Sequence, residues 1–219
     1  HRMSWTAYDD PVVARKMTSL ALQELGRWLI EPTFHEPWNV FVKWLKYIQA
    51  TDSGANTLLD VGCAAGYYQS VLRFHHDNMR YDGVEQSKPL RDLAWRVFGV
   101  LPVRSIADAL KYWATISSIG PIALPCWQVV LSGSMLQHEE HWEQALAEQV
   151  RVCRRWLIIH KIPIAETLIQ RQKQAYGVTM NEWNFPVALI HKKVGRKPVD
   201  EHYFASADPH WSGLYDLEA

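Results

Sequence analysis

The chain has 219 residues, enough for one α/β domain with a small appendage but short of two independent domains. Its 23 basic and 23 acidic residues cancel, which argues against a general nucleic-acid binder, whose surface is strongly basic. No run of about 18 apolar residues occurs, so no transmembrane helix is expected. No secretory leader pattern is visible where the chain opens His1-Arg2-Met3. Cys63, Cys126 and Cys153 are too widely spaced for a disulfide framework or a zinc site, which points to a reducing cytoplasm.

Residues 1–50 read as a helical extension. Asp10-Pro11 is a helix start with proline just inside it, and Leu22, Leu25 and Leu29 follow at helical spacing. Pro32 and Pro37 end that helix; Trp38, Phe41, Leu45 and Ile48 mark a second one. The turn-rich stretch Thr51–Asn56 opens a second unit, residues 51–219, within one compact whole.

From there strands and helices alternate. Strands are expected at Thr57–Val61, Tyr81–Glu85, Leu101–Ile106 (weakened by Pro102), Gln128–Leu131 and Trp156–Ile159. Helices are expected over Tyr67–Phe74, after a Ser87 cap, and through Trp142, Leu146 and Val150. Asn184 is expected to cap a late helix through Lys193, with Gly195 at its end, and Pro198–Phe204 to form a late strand. The tail, 205–219, receives no assignment. The alternation implies βαβ units and a mainly parallel sheet.

The most informative stretch is Leu58 to Tyr68, LLDVGCAAGYY. An apolar strand runs into a turn built of small residues at 62, 64 and 66, and a helix follows. Such a turn lets a ligand approach the backbone, and the new helix points unpaired N–H groups at it. The dinucleotide pattern G-x-G-x-x-G fits poorly, because Ala64 and the bulky Tyr67 replace its second and third glycines. The next strand ends in Glu85, about twenty residues further on, where an acid grips ribose hydroxyls in such folds.

This stretch resembles motif I of the class I S-adenosylmethionine-dependent methyltransferases, D/E-x-G-x-G-x-G, with Ala64 in place of the middle glycine. The resemblance spans roughly residues 55–165 and is of the small-molecule, type 11/12-like kind. It implies a Rossmann-like, mostly parallel seven-stranded sheet with helices on both faces, one strand being reversed. It implies S-adenosylmethionine as cofactor, with contacts from Asp60, Gly62, Cys63, Ala64 and Gly66 at the turn, and from Glu85 and Gln86 after strand two. It extends to Asp108 and Ala109 beside the adenine, and to Ser132 and Met135 at the methionine end.

Methyl transfer is an in-line displacement in which the protein supplies placement and, for an alcohol or phenol, a base. His138 and His160 follow the fourth and fifth expected strands, on the ligand-binding edge, and are the candidate bases. Packing against other core side chains is the competing role for each. His138-Glu139-Glu140-His141 lacks the spacing of zinc peptidases, and His75-His76 cannot easily share one ion, so no metal site is expected. Lys192, Lys193, Arg196 and Lys197 read as a solvated basic cluster.

The expected activity is therefore methyl transfer to oxygen or nitrogen of a small molecule. The N-terminal helices and residues 163–204 would cover the acceptor, and Tyr8, Trp38, Tyr176 and Trp183 are candidates for its aromatic wall. The alternatives are an RNA or protein methyltransferase and a cofactor-binding module without turnover. No nucleic-acid or membrane partner is expected, and a homo-oligomer stays open.

Overall fold

The computed structural model describes residues 7–75, 78–116, 127–206 and 208–218. Cys126 and His76 lie outside the described residues. The chain forms helices α1 (Pro11–Ile30), α2 (Glu36–Thr51), α3 (Tyr67–His75), α4 (Lys88–Leu93), α5 (Ile106–Ile116), α6 (Trp142–Val152) and α7 (Val187–Val194). Its strands are β1 (Thr57–Val61), β2 (Arg80–Val84), β3 (Trp127–Gly133), β4 (Cys153–Pro163), β5 (Ile169–Ala175), β6 (Val178–Asn184), β7 (Asp200–Phe204) and β8 (His210–Asp216).

Six strands make the central sheet in the order β2-β1-β3-β4-β8-β7. The first four run parallel, and β8 is antiparallel to both neighbours. Strand residues alternate between two apolar layers. Leu58, Val129, Leu131, Trp156 and Ile158 face one side, against Phe41, Leu45 and Ile48 of α2 and Val71 and Leu72 of α3. Leu59, Val130, Leu157 and Ile159 face the other, against Leu146 of α6 and Ile190 of α7. Burial on both faces is why these strands read as nearly continuous apolar runs. No described helix is long and apolar enough to cross a membrane.

The N-terminal helices form as expected. Asp10 caps α1, its carboxylate accepting the Val12 N–H at 2.7 Å, with Pro11 in the first turn.

Three expectations change. The expected third strand at Leu101–Ile106 contracts to one parallel bridge, Val103 to Val84, so the main sheet has six strands rather than seven. Val103 donates to Gly83 and accepts from the Glu85 N–H. Pro102 has no N–H to extend the ladder, and Ser105 already begins α5. The late helix begins at Val187 after Pro186, not at Asn184, which is the buried last residue of β6. The unassigned tail supplies β8, an almost wholly buried strand between β4 and β7.

Between β4 and α7 the chain inserts the hairpin β5–β6, which was not expected. Its two-residue turn, Tyr176-Gly177, has φ of 56° and 85°, the left-handed values that match the twist of paired strands.

Candidate active site

The crevice forms where β1 and β2 end. The Gly62 and Cys63 N–H groups both donate to the Val84 carbonyl, at 2.8 and 3.0 Å, which folds the turn back over β2. Gly62 has φ of 75°, and a side chain there would place its Cβ 2.7 Å from Met135 Cβ. A glycine is therefore needed both for backbone geometry and for the close approach of Met135. Ala64 takes the left-handed φ of 50° at the position where the motif has its middle glycine.

Glu85 is buried and ties this turn to the next helix. Its carboxylate accepts the Ala64 N–H at 2.9 Å and the Ser87 N–H at 2.8 Å. Its carbonyl accepts from Arg91 at 2.7 Å. Burial raises the carboxyl pKa, and the Ser87 and Ala64 N–H groups oppose that rise. Each carboxylate oxygen keeps an acceptor lone pair beyond its N–H bond.

Two cavities meet here, of about 240 and 270 Å³, and share Gly62, Glu85 and Met135 as walls. The second lies on the β2 side and is also lined by Gln86, Ser105, Ile106 and Ala107. Asp108 does not line it. Ser105 Oγ donates to the Asp108 carboxylate at 2.8 Å and accepts the Asp108 N–H at 3.1 Å, a reciprocal cap at the start of α5. Ala109 packs in the core below.

Of the other turn residues, Ala64 lines the first cavity, whereas Asp60, Cys63, Gly66 and Ser132 line neither. Asp60 lies under the turn with no exposed surface. One of its oxygens accepts the Tyr81 hydroxyl at 2.6 Å, and the other has no hydrogen-bond partner among the described residues. Burial pushes its pKa up to about 7, partly offset by Tyr81 and reinforced by Glu85. Cys63 is likewise buried, which raises its thiol pKa.

The first cavity lies on the β4 side, roofed by α1 and the β5–β6 hairpin. Tyr8, Trp38 and Tyr176 line it as expected; Trp183 packs in the core instead. His138 lines it, with Nε2 3.1 Å from the Tyr8 hydroxyl. Burial holds the His138 pKa down to about 4; a bond to the Asn181 backbone raises it, and Lys173 lowers it. The imidazole is therefore neutral at ordinary pH.

His160 is placed differently. It has no exposed surface, stands among the rings of Phe41, Trp44, Tyr68 and Phe204, and lines neither cavity. Burial, with Lys161 nearby, holds its pKa down to about 3. Its Nδ1 is 3.0 Å from Ser212 Oγ, which accepts the Lys161 N–H at 2.8 Å.

Sequence reasoning missed the charged lining. Glu24 of α1, paired with His35 at 3.5 Å, Lys161 at the end of β4, and Lys173 and Glu182 of the hairpin all reach the first cavity. Lys173 is held by Glu182 at 3.2 Å and Asp208 at 3.0 Å. The expected basic cluster on α7 is partly tied down, Lys193 to Glu143 at 2.7 Å. The four described non-glycine residues with positive φ are Ala64, Ser134, Lys161 and Tyr176, and all four line this cavity. Left-handed non-glycine residues cost on the order of 1–3 kcal/mol each and concentrate where function needs them.

Residues 59–158 match the family model described as "Methyltransferase domain". Among solved structures, the chain is similar to the magnesium protoporphyrin IX methyltransferase from Synechocystis PCC 6803 with bound SAM, at 12% identity and a TM-score of 0.53, covering 81% of this chain and 77% of that one. It is similar to the PH0226 protein from Pyrococcus horikoshii OT3, at 13% identity and a TM-score of 0.53, covering 87% and 98%. It is also similar to the CcbJ methyltransferase from Streptomyces caelestis, at 11% identity and a TM-score of 0.52, covering 74% and 83%. No curated protein sequence matches the chain.

Proposed function

We propose that the chain is an S-adenosylmethionine-dependent methyltransferase of the class I fold and that it methylates oxygen or nitrogen of a small molecule. The observation that carries this reading is the pair of cavities joined at Gly62, Glu85 and Met135, one of them roofed. The fit to the cofactor rests on Glu85. Its two oxygens, each already fixed by one N–H, present acceptors to a ribose diol, while Gln86, Ser105, Ile106 and Ala107 offer a slot for a flat base.

When bound, the cofactor supplies an electrophilic methyl on a sulfonium sulfur. The residues of the chain do the rest. The Gly62–Ala64 turn and Met135 border the junction of the two cavities. The α1 helix and the hairpin exclude water and confine the acceptor. The neutral His138, whose Nε2 stands 3.1 Å from the Tyr8 hydroxyl, takes the acceptor proton once an acceptor hydroxyl replaces that contact. A roofed cavity of about 240 Å³ suits a small molecule better than a polymer.

The first test is thermal. S-adenosylhomocysteine at about 100 times its Kd should stabilise the protein by about 2.7 kcal/mol, raising Tm by roughly 5–10 °C for a chain of this size. NAD should leave Tm unchanged; a shift with NAD and none with S-adenosylhomocysteine overturns the reading.

His138→Gln should lower kcat by about 100-fold or more on a hydroxyl acceptor, with the S-adenosylhomocysteine shift retained. Because the ring titrates near 4, its protonation should impose no fall in kcat between pH 8 and pH 6. An activity unchanged by the substitution removes His138 from the proton path.

A further inference from the structure

We infer that the methyl acceptor is a small molecule with a flat apolar body and a carboxylate, and that Lys161 binds that carboxylate. The inference rests on the proposed small-molecule methyl transfer.

The Lys161 ammonium is the cation of the first cavity that no carboxylate contacts directly, the Glu24 carboxylate acting on it from a longer distance. Lys173 is neutralised by Glu182 and Asp208, and the Glu24 carboxylate lies 3.5 Å from the His35 ring. Lys161 lines the same space without a hydrogen bond or ion pair from its side chain to any described residue. A partly buried cation is costly to leave unpaired, so a site that keeps one is built for an anion.

Its placement is built, not incidental. Lys161 sits at the register break of β4 against β8, between Ile159 and Ile162, with φ of 54°. Its N–H is held by Ser212 Oγ at 2.8 Å, and its carbonyl by Ser134 Oγ at 3.2 Å. His160 stands behind Ser212 at 3.0 Å and is thereby a positioning residue. A strained backbone conformation fixed from both sides, and backed by a buried imidazole, aims one side chain into the cavity.

The cofactor has a carboxylate of its own, and the test below distinguishes it from an acceptor carboxylate. The nucleoside side of the crevice lies at β1 and β2, and Lys161 stands at β4, two strands from β1. Adjacent strands are about 4.8 Å apart, which puts Lys161 roughly 10 Å from the glycine turn. Tyr8, Tyr67, Trp38 and Tyr176 provide the apolar walls of the first cavity.

The test uses benzoate and benzamide, matched in shape and differing in charge, titrated by calorimetry into protein saturated with S-adenosylhomocysteine. Benzoate should bind at least tenfold more tightly than benzamide. Lys161→Met should abolish that preference without changing S-adenosylhomocysteine affinity, and Lys161→Arg should restore part of it. Absence of benzoate binding, equal binding of the two probes, or a preference that survives Lys161→Met overturns the inference. So does a loss of S-adenosylhomocysteine affinity in Lys161→Met, which would assign the amine to the cofactor's carboxylate. Failure of S-adenosylhomocysteine to bind the unaltered protein would instead remove the underlying methyl-transfer reading.

Discussion

Glu85→Gln should weaken S-adenosylhomocysteine binding by roughly 10- to 100-fold, since a hydrogen bond to a charged group is worth about 1.5–3 kcal/mol. The amide is the same size as the carboxylate but offers one acceptor oxygen instead of two. It cannot accept both the Ala64 N–H and the Ser87 N–H, which the carboxylate takes at 2.9 and 2.8 Å. One backbone donor loses its acceptor, and the glycine turn loses its tie to α4. The ribose diol also loses one acceptor. The loss should therefore appear in two measurements, a weaker ligand affinity by calorimetry and a lower Tm of the ligand-free protein. Affinity at the level of the unaltered protein would mean that this carboxylate only braces the turn.

Asp60→Asn should stabilise the ligand-free protein at pH 8 and lose that advantage as pH falls. The carboxyl is fully buried, and burial raises its pKa to about 7. An acid whose pKa is raised on folding favours the folded state below its unfolded pKa, near 4, where both states are protonated. That advantage drains away as pH climbs through about 7, because the folded state must then bury the charge. The gap of about three pKa units corresponds to a few kcal/mol, at roughly 1.36 kcal/mol per unit. Asparagine keeps an acceptor for the Tyr81 hydroxyl and carries no charge. Denaturant unfolding of both proteins at pH 8 and pH 4.5 measures the difference; an equal gap at both values would place the cause outside this ionisation.

The sheet was legible where its strands are apolar on both faces. Thr57–Val61 lies where it was expected, and the second strand lies one residue earlier, at Arg80–Val84, because a buried parallel strand carries its signal in four or five consecutive residues. The hairpin β5–β6 was not legible. Its first strand, Ile169–Ala175, is largely exposed and nearly all polar, and its turn is Tyr-Gly rather than Asn-Gly. The last strand was hidden for a related reason: His210, Ser212 and Asp216 interrupt the apolar pattern, although the strand is buried.

The site divides along the same line. Gly62, Ala64, Glu85 and Gln86, which line the two cavities, were singled out because a turn and the end of the next strand stand at a readable separation. Asp108 looked equivalent in sequence, yet its carboxylate is occupied in capping α5. His160 sits at the ligand edge of its strand, but the rings around it close it off, which no local pattern reveals. Glu24, Lys161, Lys173 and Glu182 could not be grouped, because they converge from four elements, α1, β4, β5 and β6.

The roof over the first cavity is stitched by partners distant along the chain. Tyr8 meets His138 across 130 residues and Met180 across 172, and Lys16 reaches the Tyr176 carbonyl across 160. Closing such long spans is entropically expensive until the sheet between them already exists. The binding chamber is therefore held by contacts between residues 8–16 and the β5–β6 hairpin, whose favourable closure requires the support of the paired strands. Ligand capture in this architecture reports on the docking of α1 and the hairpin over the sheet edge rather than on the glycine turn alone.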